Sequence, residues 1–206
     1  MVSGSDQREG SATPAAAGGA ESLERAVTAA SKGAKGPPPV HLWNPPYCGD
    51  LDIRIRADGV WFYLGTPIGR ESLVRLFASV LKKEDGRHYL VTPVEKIGIT
   101  VDDAPFVAVD FRVEPVEGGQ RVVFVTNVGD ETAAGPENPI RVERDGAEGE
   151  PRPYVHVRRG LEALIDRKSF YRLVEIGETR TIEGTDWFGL ESAGAFFPVI
   201  EARALD

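Results

Sequence analysis

The 206-residue sequence has ordinary globular proportions, with 41% hydrophobic and 27% charged residues, and it contains 23 glycines and 15 prolines. This glycine and proline content favours a strand-rich chain with many turns over a helical bundle. A single cysteine excludes an internal disulfide framework and indicates a reducing compartment, so we expect a cytoplasmic protein. The net charge of −8 excludes a non-specific nucleic-acid binder, and no apolar run approaches the roughly 18 residues of a membrane helix.

Composition divides the chain into four segments. Residues 1–40 lack aromatic residues and their charges cancel, which predicts a disordered tail with one short helix over 22–32. Residues 41–128 predict an N-terminal α+β subdomain. Residues 129–151 hold seven acids and two arginines, which predicts an acidic connection that contains the domain boundary. Residues 152–206 predict a β-rich C-terminal subdomain.

Periodicity predicts the elements of the N-terminal subdomain. Alternation over Leu51–Leu64, broken by Asp58-Gly59, predicts a β-hairpin. Helical spacing of apolar residues predicts a helix over Arg70–Lys83. Further strands are predicted over 88–92, 94–101, 106–113, 121–127 and 139–144.

The C-terminal segment predicts further short elements. They are a strand over 154–157, a helix over 161–167, strands over 169–174, 180–182 and 187–190, and a closing apolar run over 195–200.

A pattern of strand, glycine and apolar pair occurs in Trp61–Val74 and again in Tyr154–Ile165. Duplication of a strand–helix–strand core would explain the recurrence and would place a cleft between two equivalent halves. Chance recurrence would explain it equally well. The fold class predicted is therefore α+β, with two small subdomains, a duplicated core and mostly antiparallel sheet.

Two groups of side chains near residue 50 suggest chemistry. Cys48 has His41 and Asp50 nearby in sequence, as a Cys–His–Asp hydrolase would require, although single cysteines usually pack in cores. Asp50 and Asp52 alternate along a strand, so both point to one face, where they could act as acid and base or simply cap a turn. The three histidines are far apart in sequence, and we predict neither a metal site nor a cofactor.

Other features suggest binding of an anion. The turn Gly65–Gly69 leads towards a helix that begins near Arg70, where backbone N–H groups are free to meet an anion; a salt bridge from Arg70 to Asp50 or Asp52 is the alternative. Residues 152–172 carry a local charge of +4 that includes Arg158 and Arg159. Trp43 and Tyr47 stand in a loop stiffened by prolines, where they would either bind a ligand or cover the sheet.

The run His41–Arg54 resembles the signature of a bacterial family known as domain of unknown function 1285. The segments Gly65–Arg70, Leu90–Lys96, Ala104–Phe106 and Ser192–Pro198 match the family in the same order. The resemblance implies two α+β subdomains with a duplicated core, the second loosely like a pleckstrin-homology barrel. It also implies a ligand, suggested to be nucleotide-like, between the subdomains and a role in signalling. Likeness to that barrel is no evidence of phosphoinositide binding.

The leading interpretation is a non-enzymatic protein that binds a small phosphate-bearing or nucleotide-like anion between its subdomains, with a protein partner in signalling. The ligand residues predicted are Trp43, Asn44, Tyr47, Asp50, Arg70, Lys96, Arg158 and Arg159. Two alternatives stay open: a hydrolase that uses Cys48 or the pair Asp50 and Asp52, and a protein-interaction module that acts through an exposed strand edge.

Overall fold

A computed structural model describes residues 19–31, 37–144 and 149–204. The disorder predicted for 1–18 and 32–36, and the part of the acidic connection at 145–148, lie outside the described residues. The helices are α1 (Ala20–Ser31), α2 (Glu71–Ser79) and α3 (Arg167–Glu175). None of the helices in the described ranges is long and apolar enough to cross a membrane.

The first sheet holds six strands in the order β3-β2-β1-β6-β5-β4. They are β1 (Tyr47–Ile55), β2 (Trp61–Tyr63), β3 (Thr66–Pro67), β4 (Leu81–Glu84), β5 (Arg87–Val91) and β6 (Lys96–Val101). The neighbours β1 and β6 are parallel and every other pair is antiparallel.

The second sheet holds six strands in the order β10-β11-β12-β7-β8-β9. They are β7 (Phe106–Val116), β8 (Gly119–Thr126), β9 (Glu131–Ala133), β10 (Ile140–Glu143), β11 (Arg152–Arg158) and β12 (Leu161–Ile165). Here β7 and β12 form the parallel pair at the centre.

The two six-stranded sheets share one topology, which confirms the duplicated α+β core. Each repeat is an antiparallel run of three strands followed by a second such run, joined where the first and last strands lie parallel. We call residues 47–101 the first repeat and residues 106–165 the second repeat. The equivalence inferred from Trp61–Val74 and Tyr154–Ile165 is wrong in register, because Leu73 and Val74 lie in helix α2 whereas Leu164 and Ile165 lie in strand β12.

Three strands form a separate antiparallel sheet near the C-terminus: β13 (Glu178–Ile182), β14 (Thr185–Ser192) and β15 (Ala195–Glu201). The buried Ser192 hydroxyl joins this sheet to the second repeat, since it accepts a hydrogen bond from Val122 N (2.9 Å) and donates one to Ala134 O (2.8 Å). The predicted strands over 180–182 and 187–190 lie within it.

Three predicted element types or limits are wrong. The predicted helix over 70–83 ends at Ser79, and its last residues form strand β4. Residues 161–165 form a strand because Leu161, Ala163 and Ile165 all face the core while the two residues between them are partly exposed, as the alternation of a strand requires. Residues 169–174 lie in α3, because the Asp166 carboxylate accepts a hydrogen bond from Ser169 N (2.7 Å) and caps that helix.

The acidic segment 129–151 is not the boundary between the two halves. It supplies β9 and β10, which pair with β8 and β11 in the second sheet. The short connection between β6 and β7, residues 102–105, joins the two repeats instead. Acidic composition therefore marked edge strands, where charged residues face solvent.

Helix α1 packs on the first repeat, so the predicted tail contributes to the core. Leu23 and Val27 are fully buried, and Glu24 pairs with Arg70 at the start of α2. The buried core is continuous from α1 through both six-stranded sheets. Its largest fully buried side chains include Trp61, Phe77, Phe106 and Phe124.

Candidate functional site

The eight predicted ligand residues lie in three places. Tyr47 and Asp50 on β1 and Lys96 on β6 lie on neighbouring strands of the first sheet, and Trp43 and Asn44 lead into β1. Arg158 and Arg159 lie at the turn between β11 and β12, where the second repeat meets the first. Arg70 lies apart from both groups.

Arg70 is held by α1. Its guanidinium pairs with the Glu24 carboxylate, and neither Asp50 nor Asp52 is its partner. The expected salt bridge to those two aspartates is therefore wrong, and the helix start at residue 71 faces α1 rather than the meeting point of the repeats.

A cavity of about 130 Å³ lies where the two repeats meet. It is lined by Val40, His41, Ser79, Leu81, Lys82, Lys83, Arg158, Arg159 and Leu161. We call it the junction cavity. Five of its lining side chains are basic or can become so, and none of the described residues that line it is acidic.

The β11–β12 turn presents the two arginines because a histidine fixes its backbone. Arg159 (φ +48°) and Gly160 (φ +75°) occupy the left-handed region that a tight turn needs. The Gly160 N–H donates to His156 Nε2 at 3.0 Å. Since that nitrogen accepts, Nδ1 carries the ring proton and donates to Asn138 Oδ1 at 2.9 Å.

Arg158 joins the repeats. Its Nη2 donates to Ala78 O at 2.9 Å, its guanidinium pairs with Asp130, and it lies 5.0 Å from the centre of the Phe106 ring. Arg159, the next residue, is exposed and has no ion pair with the described residues. Arg158 therefore positions the turn, and Arg159 is the cation available to a ligand.

Much of the local +4 charge is neutralised by acids outside residues 152–172. Arg152, Arg158 and Arg172 pair with Asp103, Asp130 and Asp110 respectively. The charge run therefore does not form one anion-binding patch.

A second cluster lies on the first sheet, and we call Tyr47, Asp50, Arg87, Tyr89 and Lys96 the tyrosine–arginine face. The Arg87 Cζ atom lies 5.8 Å from the Tyr47 ring centre and 5.5 Å from that of Tyr89, and Lys96 Nζ lies 5.1 Å from the Tyr89 ring centre. Arg87 Nη2 donates to Asp50 Oδ1 at 3.0 Å. Desolvation, followed by the Asp50 carboxylate, raises the pKa of Tyr47.

Glycine at position 98 makes room for this face. A Cβ atom there would lie 1.8 Å from Asp50 Oδ1, so any larger residue would displace the carboxylate that holds Arg87. Sequence reasoning missed Arg87 and Tyr89. The alternation of Arg87, His88 and Tyr89 on one strand was the signal that could have placed the arginine and the tyrosine on the same face.

The hydrolase residues are not assembled into a triad. The Cys48 thiol donates to Pro46 O at 3.4 Å, and it makes no hydrogen bond with a histidine within the described ranges. Asp50 is engaged by Arg87, and Asp52 is exposed. Across the part of the chain that the structure describes, no three His, Cys, Asp or Glu side chains are grouped to hold a metal ion.

Two larger cavities have mixed charge. One of about 340 Å³ beside α3 places Arg152 and Arg167 near Glu150 and Asp166. An open groove of about 590 Å³ between β10 and β15 combines Arg144 and Arg203 with Glu201. The junction cavity differs from both because its charged lining residues are of one sign.

Comparison with known families covers nearly all of the described core. Residues 38–104 match the N-terminal domain, and residues 105–199 the C-terminal domain, of a protein of unknown function, DUF1285. The limit between the two matches coincides with the β6–β7 connection. No curated protein matches the chain significantly.

Two solved structures are similar to this chain. The crystal structure of a DUF1285 family protein from Silicibacter pomeroyi DSS-3 has 60% sequence identity and a TM-score of 0.77, and the match covers 87% of this chain and 97% of that one. A DUF1285 family protein from Shewanella baltica OS155 has 29% identity and a TM-score of 0.47, covering 60% of this chain and 90% of that one.

Proposed function

The chain belongs to the DUF1285 family, whose function is unknown, and we propose that it binds a small phosphate-bearing molecule in the junction cavity. One observation carries the proposal: the charged side chains that line this cavity are all basic. A cluster of cations creates a locally positive potential on a chain of net charge −8, and an anion site requires such a potential.

Two of the lining cations are available to a ligand. Lys82 Nζ is paired with Glu84 Oε1 at 2.7 Å, and Arg158 is paired with Asp130. Lys83 and Arg159 have no ion pair with the described residues and are exposed. An arginine and a lysine together suit a phosphate group, which accepts charge-assisted hydrogen bonds on several oxygens.

The size of the cavity limits what it can enclose. Its volume of about 130 Å³ is well below the roughly 300–1,000 Å³ of pockets that enclose a whole small molecule. We therefore expect the phosphate group to be enclosed and the rest of the ligand to extend outside. A nucleotide-like ligand fits this description, although neither Trp43 nor Tyr47 lines the cavity. The Trp43 carbonyl oxygen accepts a hydrogen bond from Lys82 Nζ at 3.1 Å, which puts the Trp43 backbone next to a lining lysine.

The origin of the lining residues supports a sensor over an enzyme. His41, Lys82 and Lys83 come from the first half, and Arg158 and Arg159 come from the second repeat. A ligand bound here would touch both halves, so its binding energy would act on their contact. Such coupling is what a signalling protein with a further protein partner requires.

A thermal-shift series on the full chain tests the proposal, with inorganic phosphate, a set of nucleotides and chloride at matched ionic strength. A ligand at 100 times its dissociation constant should stabilise the folded state by about 2.7 kcal/mol. The double variant Lys83→Gln, Arg159→Asn should weaken phosphate binding by roughly tenfold or more, because two cations are lost. Asparagine tolerates the left-handed backbone at position 159, so the turn is preserved.

Arg75→Gln is the matched control, since Arg75 is an exposed arginine whose partner is Glu71 on its own helix. It should leave phosphate binding unchanged. Absence of any phosphate-dependent shift in the wild-type chain, or equal binding by the double variant, would contradict the proposal.

A further inference from the structure

The repeat extends to individual cross-strand pairs. In the first repeat Lys82 lies opposite Tyr89 and Glu84 opposite Arg87. In the second repeat the corresponding pairs are Arg141 with Tyr154 and Glu143 with Arg152. Each hairpin thus carries a base, an acid, an arginine and a tyrosine in the same register.

In the second repeat the arginine and the tyrosine share one carboxylate. Tyr154 OH donates to Asp103 Oδ1 at 2.9 Å, and Arg152 Nη2 lies 2.6 Å from Asp103 Oδ2. Tyr154 is fully buried and the Asp103 side chain is 17% exposed, so this carboxylate is largely shielded from solvent. Asp103 stands three residues before the first strand of its repeat.

In the first repeat the carboxylate at the arginine comes from Asp50 on β1, and the Tyr89 hydroxyl has no carboxylate partner among the described residues. Within the described ranges Arg87 donates to Asp50, the Tyr47 hydroxyl also lies beside its guanidinium, and its side chain is 58% exposed. Its remaining N–H groups are therefore available.

The Tyr89 hydroxyl is also available. It makes no hydrogen bond with the described residues. It is also absent from the fully buried polar atoms that lack a partner there, although Tyr89 as a whole is only 9% exposed. The hydroxyl therefore reaches solvent. The Tyr47 ring stands edge-on to the Tyr89 ring, with 6.2 Å between their centres, and forms an aromatic wall beside Arg87.

We propose that Arg87 and Tyr89 bind the carboxylate of a small organic acid, in the way that Arg152 and Tyr154 hold the carboxylate of Asp103. The Asp103 carboxylate shows that an arginine and a tyrosine in this register can donate to one carboxylate, the arginine to one oxygen and the tyrosine to the other. Arg87 and Tyr89 do not line the junction cavity, although Lys82, which lies opposite Tyr89, does.

Local charge favours a monoanion. Lys82, Arg87 and Lys96 supply three positive charges, while Asp50 and Glu84 already accept hydrogen bonds from this group. Asp85 also lies close enough to raise the pKa of Lys96, so the local charges balance, and a dianionic phosphate would meet more repulsion from these acids than a single carboxylate.

The test is an NMR titration of the labelled full chain with sodium acetate, and separately with inorganic phosphate, at constant ionic strength. Acetate should shift the Arg87 Nε–Hε and Tyr89 ring signals in a saturable way, and phosphate should not. Tyr89→Phe keeps the ring and removes the hydroxyl, so it should weaken acetate binding roughly 2- to 10-fold. Arg87→Gln should abolish the saturable shift of the Tyr89 ring.

Arg54→Gln is the control, because Arg54 is also 58% exposed and also pairs with an aspartate, Asp102. It should bind acetate as the wild-type chain does, and so should the Lys83→Gln, Arg159→Asn variant, which separates this site from the junction cavity. The proposal is overturned by any of three results: no saturable acetate shift, equal acetate binding by Tyr89→Phe and Arg87→Gln, or equal binding of phosphate at Arg87.

Discussion

At the scale of single residues, His88 is a buried group with an unmet hydrogen-bonding requirement. It lies in strand β5 with 9% of its surface exposed, and its Nε2 atom has no partner among the described residues. Burial, with the positive charge of Lys83 as a second cause, lowers the pKa of His88 to about 4 from 6.5. The folded state therefore holds the neutral imidazole at pH values where the unfolded state is already protonated.

The sign of the resulting pH dependence follows from this shift. Well above pH 6.5 His88 is neutral in both states and does not change the free energy of unfolding. As the pH falls from 6.5 towards 4, the unfolded state gains a proton and the folded state does not. We expect the free energy of unfolding to fall by about 2 kcal/mol between pH 7.5 and pH 5 on account of this residue. In His88→Leu this part of the pH dependence should vanish. Urea denaturation of both chains at the two pH values measures it, and equal slopes would contradict the assignment.

At the scale of elements, α1 is the part of the predicted tail that contributes to the stability of the core. Leu23 is fully buried on its inner face. Leu23→Ala should lower the free energy of unfolding by roughly 2–5 kcal/mol, because it removes buried methyl groups and leaves a cavity. Thr28→Ala, on the exposed face of the same helix, is the control and should change stability by less than about 0.5 kcal/mol. Equal effects of the two changes in urea denaturation would mean that α1 does not pack as described.

Sequence periodicity identified most elements and failed where two signals compete. The hairpin over β1 and β2 was predictable because Leu51–Ile55 alternates and Asp58-Gly59 forms its turn. The sequence predicts a helix over 161–167 because seven residues are too few to separate the two periods, whereas the first five of them form strand β12. The missed signal was Asp166, whose capping of α3 fixes a helix start after the strand.

The candidate sites were predictable only in part, for a related reason. Arg158, Arg159 and Lys96 stood out by charge, but charge alone does not say which cations are already paired. The ion pairs of Arg70 with Glu24 and of Arg158 with Asp130 join residues 46 and 28 positions apart. Such pairs depend on the tertiary fold, which local spacing does not encode.

At the scale of the whole molecule, hydrogen bonds between the repeats make them one unit. Asn127 Oδ1 accepts from Val107 N at 3.0 Å within the second repeat, and its Nδ2 donates across to Gly59 O at 3.1 Å. Gly59 has φ +80°, and a Cβ there would lie 2.6 Å from Asn127 Nδ2. The turn between β1 and β2 is thus shaped to receive the second repeat, and the core beneath it is continuous.

We therefore predict that the described core unfolds in a single transition despite its duplication. In a urea series followed by NMR, the indole signal of Trp61 in the first repeat and the ring signals of the buried Phe124 in the second repeat should disappear at the same midpoint. Asn127→Ala removes the bond across the repeats and should lower the free energy of unfolding by about 1–3 kcal/mol while both midpoints move together. Thr181→Ala, which removes an exposed contact with Asp186 inside the third sheet, is the control and should move neither. Two separate midpoints in the wild-type chain would show that the repeats are independent units, and the continuous core would then contribute little to their coupling.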